Sequence, residues 1–318
     1  FTSPHLIHHT ERIRVNDTCI SLADWERIYD QYEELFSLHK MTMFEMDLWM
    51  SLAYFIEQEV DYCIIETGMG GRLDATTALD YQACLITNVG LDHTEYLGNT
   101  FEQIAYEKSG IFKPNVPALT TEDKPECQKV MKLVADYMNT PLCFIDCQET
   151  DVLRWNGMTF HLNPPLYQAK NLSLALETLN VLGIWLEENE IQEVIDHFQW
   201  AGRFMVLRKA PLVLLDGAHN VHGITALIHA LKNFHGKIYF SVLKEKDAPH
   251  MIELLQTISK DITLVEISSA RLYPLKKLGY PIITVDELIS RLLDTKEDSL
   301  LCGSLYYVGE ALEKWGNV

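Results

Sequence analysis

The stretch ETGMGGRLDATT, residues 66–77, has three glycines within four positions and continues an apolar run, VDYCIIE, at residues 60–66. We predict a buried strand over that run. Glycine weakens regular structure and is useful mainly where the backbone takes a positive φ or comes close to another group. In an α/β protein such a loop lies at the carboxyl ends of the strands, where ligands bind. The stretch therefore indicates either a plain turn between strand and helix or a ligand-binding loop.

The size and charge of the chain limit its class. It has 318 residues, more than one core usually serves, so two domains are expected. With 45 acidic against 26 basic residues the net charge is −19, which argues against non-specific binding to nucleic acid or membranes. No apolar run reaches the roughly 18–20 residues that span a bilayer, and no signal-peptide pattern opens the chain. Seven cysteines without a CxxC pair are typical of reduced thiols in a cytoplasmic protein.

Short apolar runs alternate with helix-like stretches, which is typical of parallel sheets with helical connections. The first half offers one further strand and two helices, ACLITNVG, TFEQIAYEKSGIF and NLSLALETLNVLGIWLEE. After Arg203 the pattern restarts with strand candidates in PLVLLDGAHN, KIYFSVLKEKD, DITLVEISS, YPIITV and SLLCGSLYYVGEAL. We therefore predict two α/β domains, residues 1–203 and 204–318.

Polar side chains at the ends of the first two predicted strands are candidate metal ligands. Glu66 ends the first strand, where a carboxylate either caps or pairs locally or binds a hard cation such as Mg²⁺. The second strand leads to Asn88, Asp92 and His93. A lone histidine is more often structural than a ligand. Two adjacent strands that deliver polar groups to the same sheet edge nevertheless favour a site.

Three further residues have two interpretations each. Lys108 lies on a predicted helix and is either a solvated lysine or part of the site. Asp216, at the end of PLVLLD, either accepts ribose hydroxyls or caps the next helix. Arg203 is either a phosphate clamp or a salt bridge at the domain junction. Neither G-x-x-x-x-G-K-[ST] nor G-x-G-x-x-G occurs in the chain.

Eight segments in this order resemble the folylpolyglutamate synthase and dihydrofolate synthase family of the Mur ligase superfamily. They are FTSPHLIHHTERIRVND, TMFE, ETGMGGRLDATT, ITNVGLDHTEYLGNTFEQIAYEKSGIFKP, GRF, LLDGAHN, SVLKEKD and GSLYYVGEA. The resemblance covers essentially the whole chain. It implies an α/β fold with a P-loop-type ATPase domain, truncated at its start, and a smaller Rossmann-like C-terminal domain that serves glutamate ligation.

The resemblance implies an ATP-dependent amide ligase of folate biosynthesis and one-carbon metabolism. The substrate carboxylate of a folate or dihydropteroate takes the γ-phosphoryl group, and the amine of L-glutamate attacks the acyl phosphate. Such transfer depends on positioning and on cations that neutralise charge. The motifs serve both dihydrofolate synthesis and polyglutamylation of tetrahydrofolates, so they do not separate the two.

By similarity, Ser3, Glu66 and His93 would hold Mg²⁺, and Lys108 would be the lysine that the family carries as a carbamate. Glu66, His93 and Lys108 are thus the catalytic candidates. Two segments match the substrate-binding ones, with residues Thr42, Met43, Phe44, Glu45, Leu73, Asp74 and Ala75. Residues that match the ATP contacts are Asn171, Arg203 and Asp216.

The resemblance also implies a departure, because the family's P-loop lies upstream of TSPHL and this chain begins at about that serine. Turnover of ATP by the chain as written is therefore not expected. The alternatives are another Mur-type ligase, or a non-catalytic protein that binds pterin and nucleotide without a P-loop. The expected partners are folate or dihydropteroate, L-glutamate and ATP, with no nucleic acid or membrane, and the expected state is a monomer.

Overall fold

The computed structural model of the chain describes residues 1–163, 165–231 and 233–316. Contacts divide the chain into two compact units. The first comprises Phe1–Gln148 and Lys170–Trp185, and the second comprises Glu149–Ala169 and Leu186–Val318. The second unit thus contains the predicted C-terminal domain and also earlier segments of the chain. The functional boundary at residues 203/204 stays a prediction.

The helices and strands up to Phe144 all lie in the first unit. They are β1 (Arg14–Val15), β2 (Thr18–Cys19), α1 (Leu22–His39), α2 (Met43–Glu57), β3 (Cys84–Ile86), α3 (Thr94–Leu97), α4 (Phe101–Ser109), β4 (Ala118–Thr120), α5 (Pro125–Met138) and β5 (Leu142–Phe144). Short 3₁₀ turns cover His9–Arg12 and Ala75–Ala78.

Side-chain caps explain where the helices of the first unit begin. The hydroxyls of Ser21, Thr42 and Thr100 accept hydrogen bonds from backbone N–H groups in the first turns of α1, α2 and α4. Such caps satisfy donors that have no partner within the helix. Lys40 and Asn139, both in the left-handed conformation, end α1 and α5.

The first unit has a parallel three-stranded sheet in the order β3-β4-β5. One side of its core is formed by buried residues of α4 and α5, among them Ile104, Ala105, Cys127 and Met131. A second core lies between α1 and α2, around Ile28, Phe36, Leu48 and Met50. The strand ACLITNVG is therefore confirmed, although its regular part is only β3.

The prediction of a buried strand over residues 60–66 is wrong. The segment has no regular strand in the structure, and residues 61–64 are exposed. Two ladder-like hydrogen bonds connect the segment to Phe1: the Phe1 ammonium donates to the carbonyl oxygen of Ile64 (2.8 Å), and Glu66 N–H donates to the carbonyl oxygen of Phe1 (2.9 Å). An apolar run needs a continuous pairing partner to form a ladder, and these two bonds do not extend along the segment.

The later elements are α6, which crosses the unit boundary, and those of the second unit. They are β6 (Val152–Trp155), β7 (Met158–His161), α6 (Gln168–Val181), α7 (Glu188–His197), β8 (Met205–Lys209), β9 (Leu212–Leu215), α8 (Val221–Ala230), β10 (Lys237–Phe240), α9 (Ala248–Leu255), β11 (Ile262–Glu266), β12 (Ile282–Thr284), α10 (Val285–Asp294), β13 (Ser299–Cys302) and α11 (Leu305–Gly316).

The long helix predicted over residues 171–188 is confirmed only up to Val181, where α6 ends, and α7 begins at Glu188. The chain turns at Leu182 and Gly183, after the end of α6, because a glycine is a poor helix former. The five strand candidates after Arg203 are confirmed. Together with β8, which was not predicted, they form a six-stranded sheet in the order β12-β11-β10-β13-β9-β8, parallel except for the antiparallel edge strand β8.

The core of the second unit explains why its apolar runs were easy to recognise. Its central strands are buried on both faces, as in other parallel sheets covered by helices. The fully buried side chains include Leu214, Ile238, Phe240, Leu264 and Leu300. Within residues 1–163, 165–231 and 233–316, every helix is too short or too polar to span a bilayer.

Candidate active site

The glycine loop of residues 66–77 packs closely against its neighbours. A Cβ atom on Gly71 would lie 2.7 Å from the carbonyl oxygens of both Glu107 and Lys108, at the end of α4. A Cβ atom on Gly68 would lie 2.7 Å from the ring of Phe44. The glycines are therefore present because the backbone approaches α4 and Phe44 more closely than another residue would allow.

Arg72 joins this loop to α4. Its backbone N–H donates to the carbonyl oxygen of Glu107 at 2.8 Å. Its guanidinium donates to the Glu107 carboxylate from Nε (3.1 Å) and Nη2 (2.9 Å) and lies over the ring of Tyr106, 5.7 Å from the centroid. The ion pair raises the pKa of Arg72. Because Lys108 directly follows Glu107, the loop is attached beside a predicted catalytic residue.

Asp74 shapes the loop through its own hydrogen bonds. One carboxylate oxygen accepts the N–H groups of Gly68 and Met69, both at 3.0 Å. The other accepts the N–H and the hydroxyl of Thr76, at 3.0 and 2.7 Å. Leu73, immediately before it, is 81% exposed. Of the predicted substrate contacts here, Asp74 is thus engaged within the loop, whereas Leu73 is open to solvent.

The predicted substrate segment TMFE forms the start of α2. Thr42 donates its N–H and hydroxyl to the carboxylate of Glu45, at 2.7 and 2.8 Å, and accepts the Glu45 N–H in return. The hydrogen bonds from the Thr42 backbone and then from its hydroxyl lower the pKa of Glu45. Phe44 packs against Phe1 with ring centroids 5.4 Å apart. Thr42 and Glu45 therefore act first as a reciprocal helix cap.

Met43 belongs to a cavity of about 600 Å³ in the first unit, a volume typical of small-molecule sites. The lining residues are His8, His9, Thr10, Leu22, Trp25, Tyr29, Met43, Met46, Asp47 and Met50. Buried Asp47 accepts hydrogen bonds from Arg12 Nη1 (2.8 Å) and contacts His9 Nε2 (2.6 Å). Apart from Met43, the lining residues were not predicted from the sequence, although an aspartate on the apolar face of α2 could have indicated a buried partner.

The structure brings together two of the three predicted metal ligands. The backbone N–H of Ser3 donates to Glu66 Oε2 at 3.0 Å. His93, in the left-handed conformation, precedes α3, and its N–H donates to Asp92 Oδ1 at 2.8 Å. Within the described residues no group of three or more His, Cys, Asp or Glu side chains could hold a metal ion. The predicted set has only two such side chains and a serine, so it stays a prediction.

Lys108 is partly buried near the end of α4. Burial lowers the pKa of its ammonium group, and the negative charge of Asp92 opposes that shift. A fully solvated lysine would not show this effect. Lys108 is thus less exposed than a fully solvated helix lysine, and its place in the site stays a prediction.

Asp216 is the most buried of the predicted ATP contacts, at 4% exposure. Burial raises the pKa of its carboxyl group, while hydrogen bonds from the N–H groups of Phe204 (2.8 Å) and Ala218 (2.7 Å) oppose the shift. Asp216 thus ties the Arg203 segment to the end of β9. Arg203 itself is exposed, and Asn171 is exposed on α6 in the first unit.

Three buried hydroxyls of the second unit were also missed. Ser241 and Ser304, which follow β10 and β13, and Tyr307 on α11 are each at most 1% exposed. Within the described part of the chain their oxygens have no hydrogen-bond partner. Buried hydroxyls usually have one. Ser304 could have been found from the sequence, because the Gly-Ser pair of GSLYYVGEA directly follows an apolar strand.

Two α/β units, with polar groups at strand ends and a glycine loop, are typical of a Mur-type ligase. A family model described as the Mur ligase middle domain matches residues 23–164. The chain is 30% identical to the dihydrofolate synthase/folylpolyglutamate synthase of Bacillus subtilis (strain 168), over 98% of this chain and 82% of that protein. It is 29% identical to the Escherichia coli (strain K12) enzyme of the same name, over 98% of this chain and 79% of that protein. The chain belongs to the dihydrofolate synthase/folylpolyglutamate synthase family.

Solved structures agree with this assignment. A bifunctional folylpolyglutamate synthase/dihydrofolate synthase with Mn, AMPPNP and L-glutamate bound has a TM-score of 0.88 at 27% identity, over 99% of this chain and 82% of that one. The Escherichia coli enzyme in complex with DHPP and ADP has a TM-score of 0.86 at 26% identity, over 100% of this chain and 81% of that one. The predicted family and fold class are confirmed, and the relatives are ATP-dependent glutamate ligases.

Proposed function

We propose that this protein is an ATP-dependent ligase that adds L-glutamate to folates, to dihydropteroate, or to both. The carboxylate of the pterin substrate attacks the γ-phosphorus of ATP and releases ADP. The amine of glutamate then attacks the acyl phosphate, forms the amide and releases phosphate. The observation that carries this proposal is the attachment of the glycine loop to α4 through Arg72 and Glu107, directly beside partly buried Lys108.

For the metal ion we propose Mg²⁺, held by Ser3, Glu66 and His93. Hydroxyl and carboxylate oxygens suit this hard cation, and the hydrogen bond between Ser3 and Glu66 supports a shared position. A bound divalent cation would neutralise charge on the transferred phosphoryl group. Manganese in a solved relative is consistent with a divalent ion in the family.

We further propose that Lys108 acts as a carbamate. Its neutral amine attacks carbon dioxide, a nitrogen–carbon bond forms, and a proton leaves to solvent. The lowered pKa of Lys108 increases the neutral fraction that this reaction needs. The product is an anion with two oxygens, which can lie near a metal ion where an ammonium group would be repelled.

The remaining roles follow the same assignment. Residues 1–203 would provide ATP binding, phosphoryl transfer and pterin binding, and residues 204–318 would serve glutamate ligation. The proposed nucleotide contacts are Asn171, Arg203 and Asp216. The proposed pterin contacts are Thr42, Met43, Phe44, Glu45, Leu73, Asp74 and Ala75.

The test is a substrate panel on protein expressed from the complete reading frame that encodes this chain. Dihydropteroate and tetrahydrofolate are each supplied with ATP, Mg²⁺ and L-glutamate, and the amide product is measured by mass spectrometry together with ADP. Product that requires all components supports the proposal. Pterin and nucleotide binding without any amide product would instead indicate a non-catalytic protein.

We also propose a monomer that works in the reducing cytoplasm. All seven cysteines are free, including exposed Cys63 and Cys143, which is typical of a reducing compartment. Multi-angle light scattering measures the oligomeric state, and localisation of a tagged protein measures the compartment.

A further inference from the structure

The Glu122 carboxylate is buried at the end of β4, with 2% of the residue exposed. Its Oε1 accepts hydrogen bonds from the backbone N–H of Lys124 (2.8 Å) and from the Lys124 ammonium (3.1 Å). Its Oε2 accepts a hydrogen bond from the backbone N–H of Val89. Burying a carboxylate costs free energy unless such partners compensate it. Its position is therefore strongly defined.

Glu122 and its neighbour extend the contact between β3 and β4 beyond the regular strands. The last backbone pair is Ile86 with Thr120. The hydroxyl of buried Thr121 then donates to the carbonyl oxygen of Thr87 at 2.8 Å. Glu122 binds the N–H of Val89, two residues further along. Side chains thus hold the segment after β3 at alternate positions where no backbone ladder is formed.

The segment that Glu122 holds leads to two residues of the candidate site. Asp92 accepts the N–H of His93, and its negative charge acts on Lys108. Val89, which is fully buried, lies three positions before Asp92. A displacement of Val89 would therefore move the start of the chain segment that carries Asp92 and His93.

We propose that Glu122 is a positioning residue for the ligase reaction, which holds residues 87–93 so that His93 can complete the metal site. This inference rests on the proposed function. The carboxylate itself would touch neither substrate nor metal ion. A charged side chain is required because Glu122 accepts from two separate donors on one side and from Val89 on the other.

The decisive variant is Glu122→Gln, which keeps the size of the side chain. One carboxylate oxygen becomes an NH₂ group, so the amide can accept from Val89 or from Lys124 but not from both. We expect Mn²⁺ binding to weaken by about 10-fold or more, the usual scale for residues that orient metal ligands. Binding is measured by electron paramagnetic resonance of free Mn²⁺ and, independently, by the metal concentration that gives half-maximal ligase activity.

The matched control is Glu126→Gln, which makes the same charge change on an exposed residue in the first turn of α5. It should bind Mn²⁺ like the wild type. If Glu122→Gln does not fold, Thr121→Val removes only the hydroxyl bond to Thr87 and should weaken Mn²⁺ binding in the same direction. Melting temperatures separate a general loss of stability from a metal-specific effect.

The outcomes distinguish this inference from the proposed function. Unchanged Mn²⁺ binding and unchanged metal dependence in folded Glu122→Gln, or in Thr121→Val where Glu122→Gln is insoluble, would overturn the positioning role even if the melting temperature falls. If the wild type then still ligates glutamate, the proposed function stands. A wild type that neither binds Mn²⁺ nor forms the amide overturns both.

Discussion

Arg72 and Glu107 are joined twice, by a backbone hydrogen bond of 2.8 Å and by an ion pair whose Nη2–Oε1 distance is 2.9 Å. The two residues are 35 positions apart in sequence. Their contact holds the glycine loop on the end of α4, where Gly71 leaves no space for a side chain. Lys108, the proposed catalytic residue, directly follows Glu107, so the loop is attached next to it.

Gly71→Ala should destabilise the protein. The new Cβ atom would lie 2.7 Å from two backbone carbonyl oxygens, which cannot move as a flexible side chain can. We expect a loss of about 1–3 kcal/mol in the free energy of unfolding, the usual cost of overpacking, measured by urea denaturation. Gly316→Ala is the control, because a Cβ atom there meets nothing within 4 Å. Equal stability of the two variants would contradict the close packing.

Lys108→Ala should reduce the ligase rate by at least about 100-fold, the scale of losing one preorganised electrostatic group. Added short carboxylic acids should restore part of the rate, because they replace the anion of the carbamate. Lys129→Ala, which removes an exposed lysine of α5, should have wild-type activity. An unchanged rate in Lys108→Ala would exclude the carbamate.

Leu73→Ala should raise KM for the pterin substrate by about 10-fold, the effect of losing the burial of one leucine side chain on binding. Stability should change little, because Leu73 is 81% exposed without substrate. Leu38→Ala is a matched control on α1 with 75% exposure and no proposed substrate contact. Steady-state kinetics and thermal melting measure both effects, and an unchanged KM would remove Leu73 from the pterin contacts.

Glu11 should make the stability of the protein depend on pH in the acid range. Burial alone would raise the pKa of Glu11, but hydrogen bonds from the N–H groups of His8, Leu6 and Ile7 outweigh burial, and the net shift is downward from 4.5. A carboxylate with a depressed folded-state pKa contributes stability above its unfolded pKa and loses it as pH falls through the folded value.

The variant Glu11→Gln should therefore be less stable than the wild type near neutral pH. The difference in the free energy of unfolding should shrink as pH falls below about 4.5, the unfolded value. Urea denaturation at several pH values measures it. Glu26→Gln, on the exposed face of α1, is the control and should follow the wild type throughout. A constant difference from pH 7 to pH 3 would show that the Glu11 charge is not responsible.

Local patterns predicted much of this fold. The apolar runs of β9 to β13 were recognisable because central strands of a parallel sheet are buried on both faces. The predicted helix TFEQIAYEKSGIF was also recognisable, and in the structure its first residue, Thr100, caps α4. The family resemblance of the ordered motifs was also complete in the sequence, and the comparisons confirmed it.

The same local patterns failed where a partner was needed. The apolar residues 60–66 have strand character, yet the structure forms no regular strand there. Strand formation depends on a neighbouring ladder, and periodicity within one segment does not contain that information. Buried Glu122 and Asp47 were missed for a related reason, because their partners lie 33 and 35 residues away.

The sequence by itself determined the family, the α/β class and the identity of the candidate residues, since these depend on residue type, order and short spacing. Only the tertiary structure decided what each candidate contacts. It showed Asp74 bonded within its own loop, Lys108 partly buried, and Glu122 holding the segment before His93. The physical reason is that hydrogen bonds and burial act between groups that are near in space, and folding brings such groups together from distant parts of the chain.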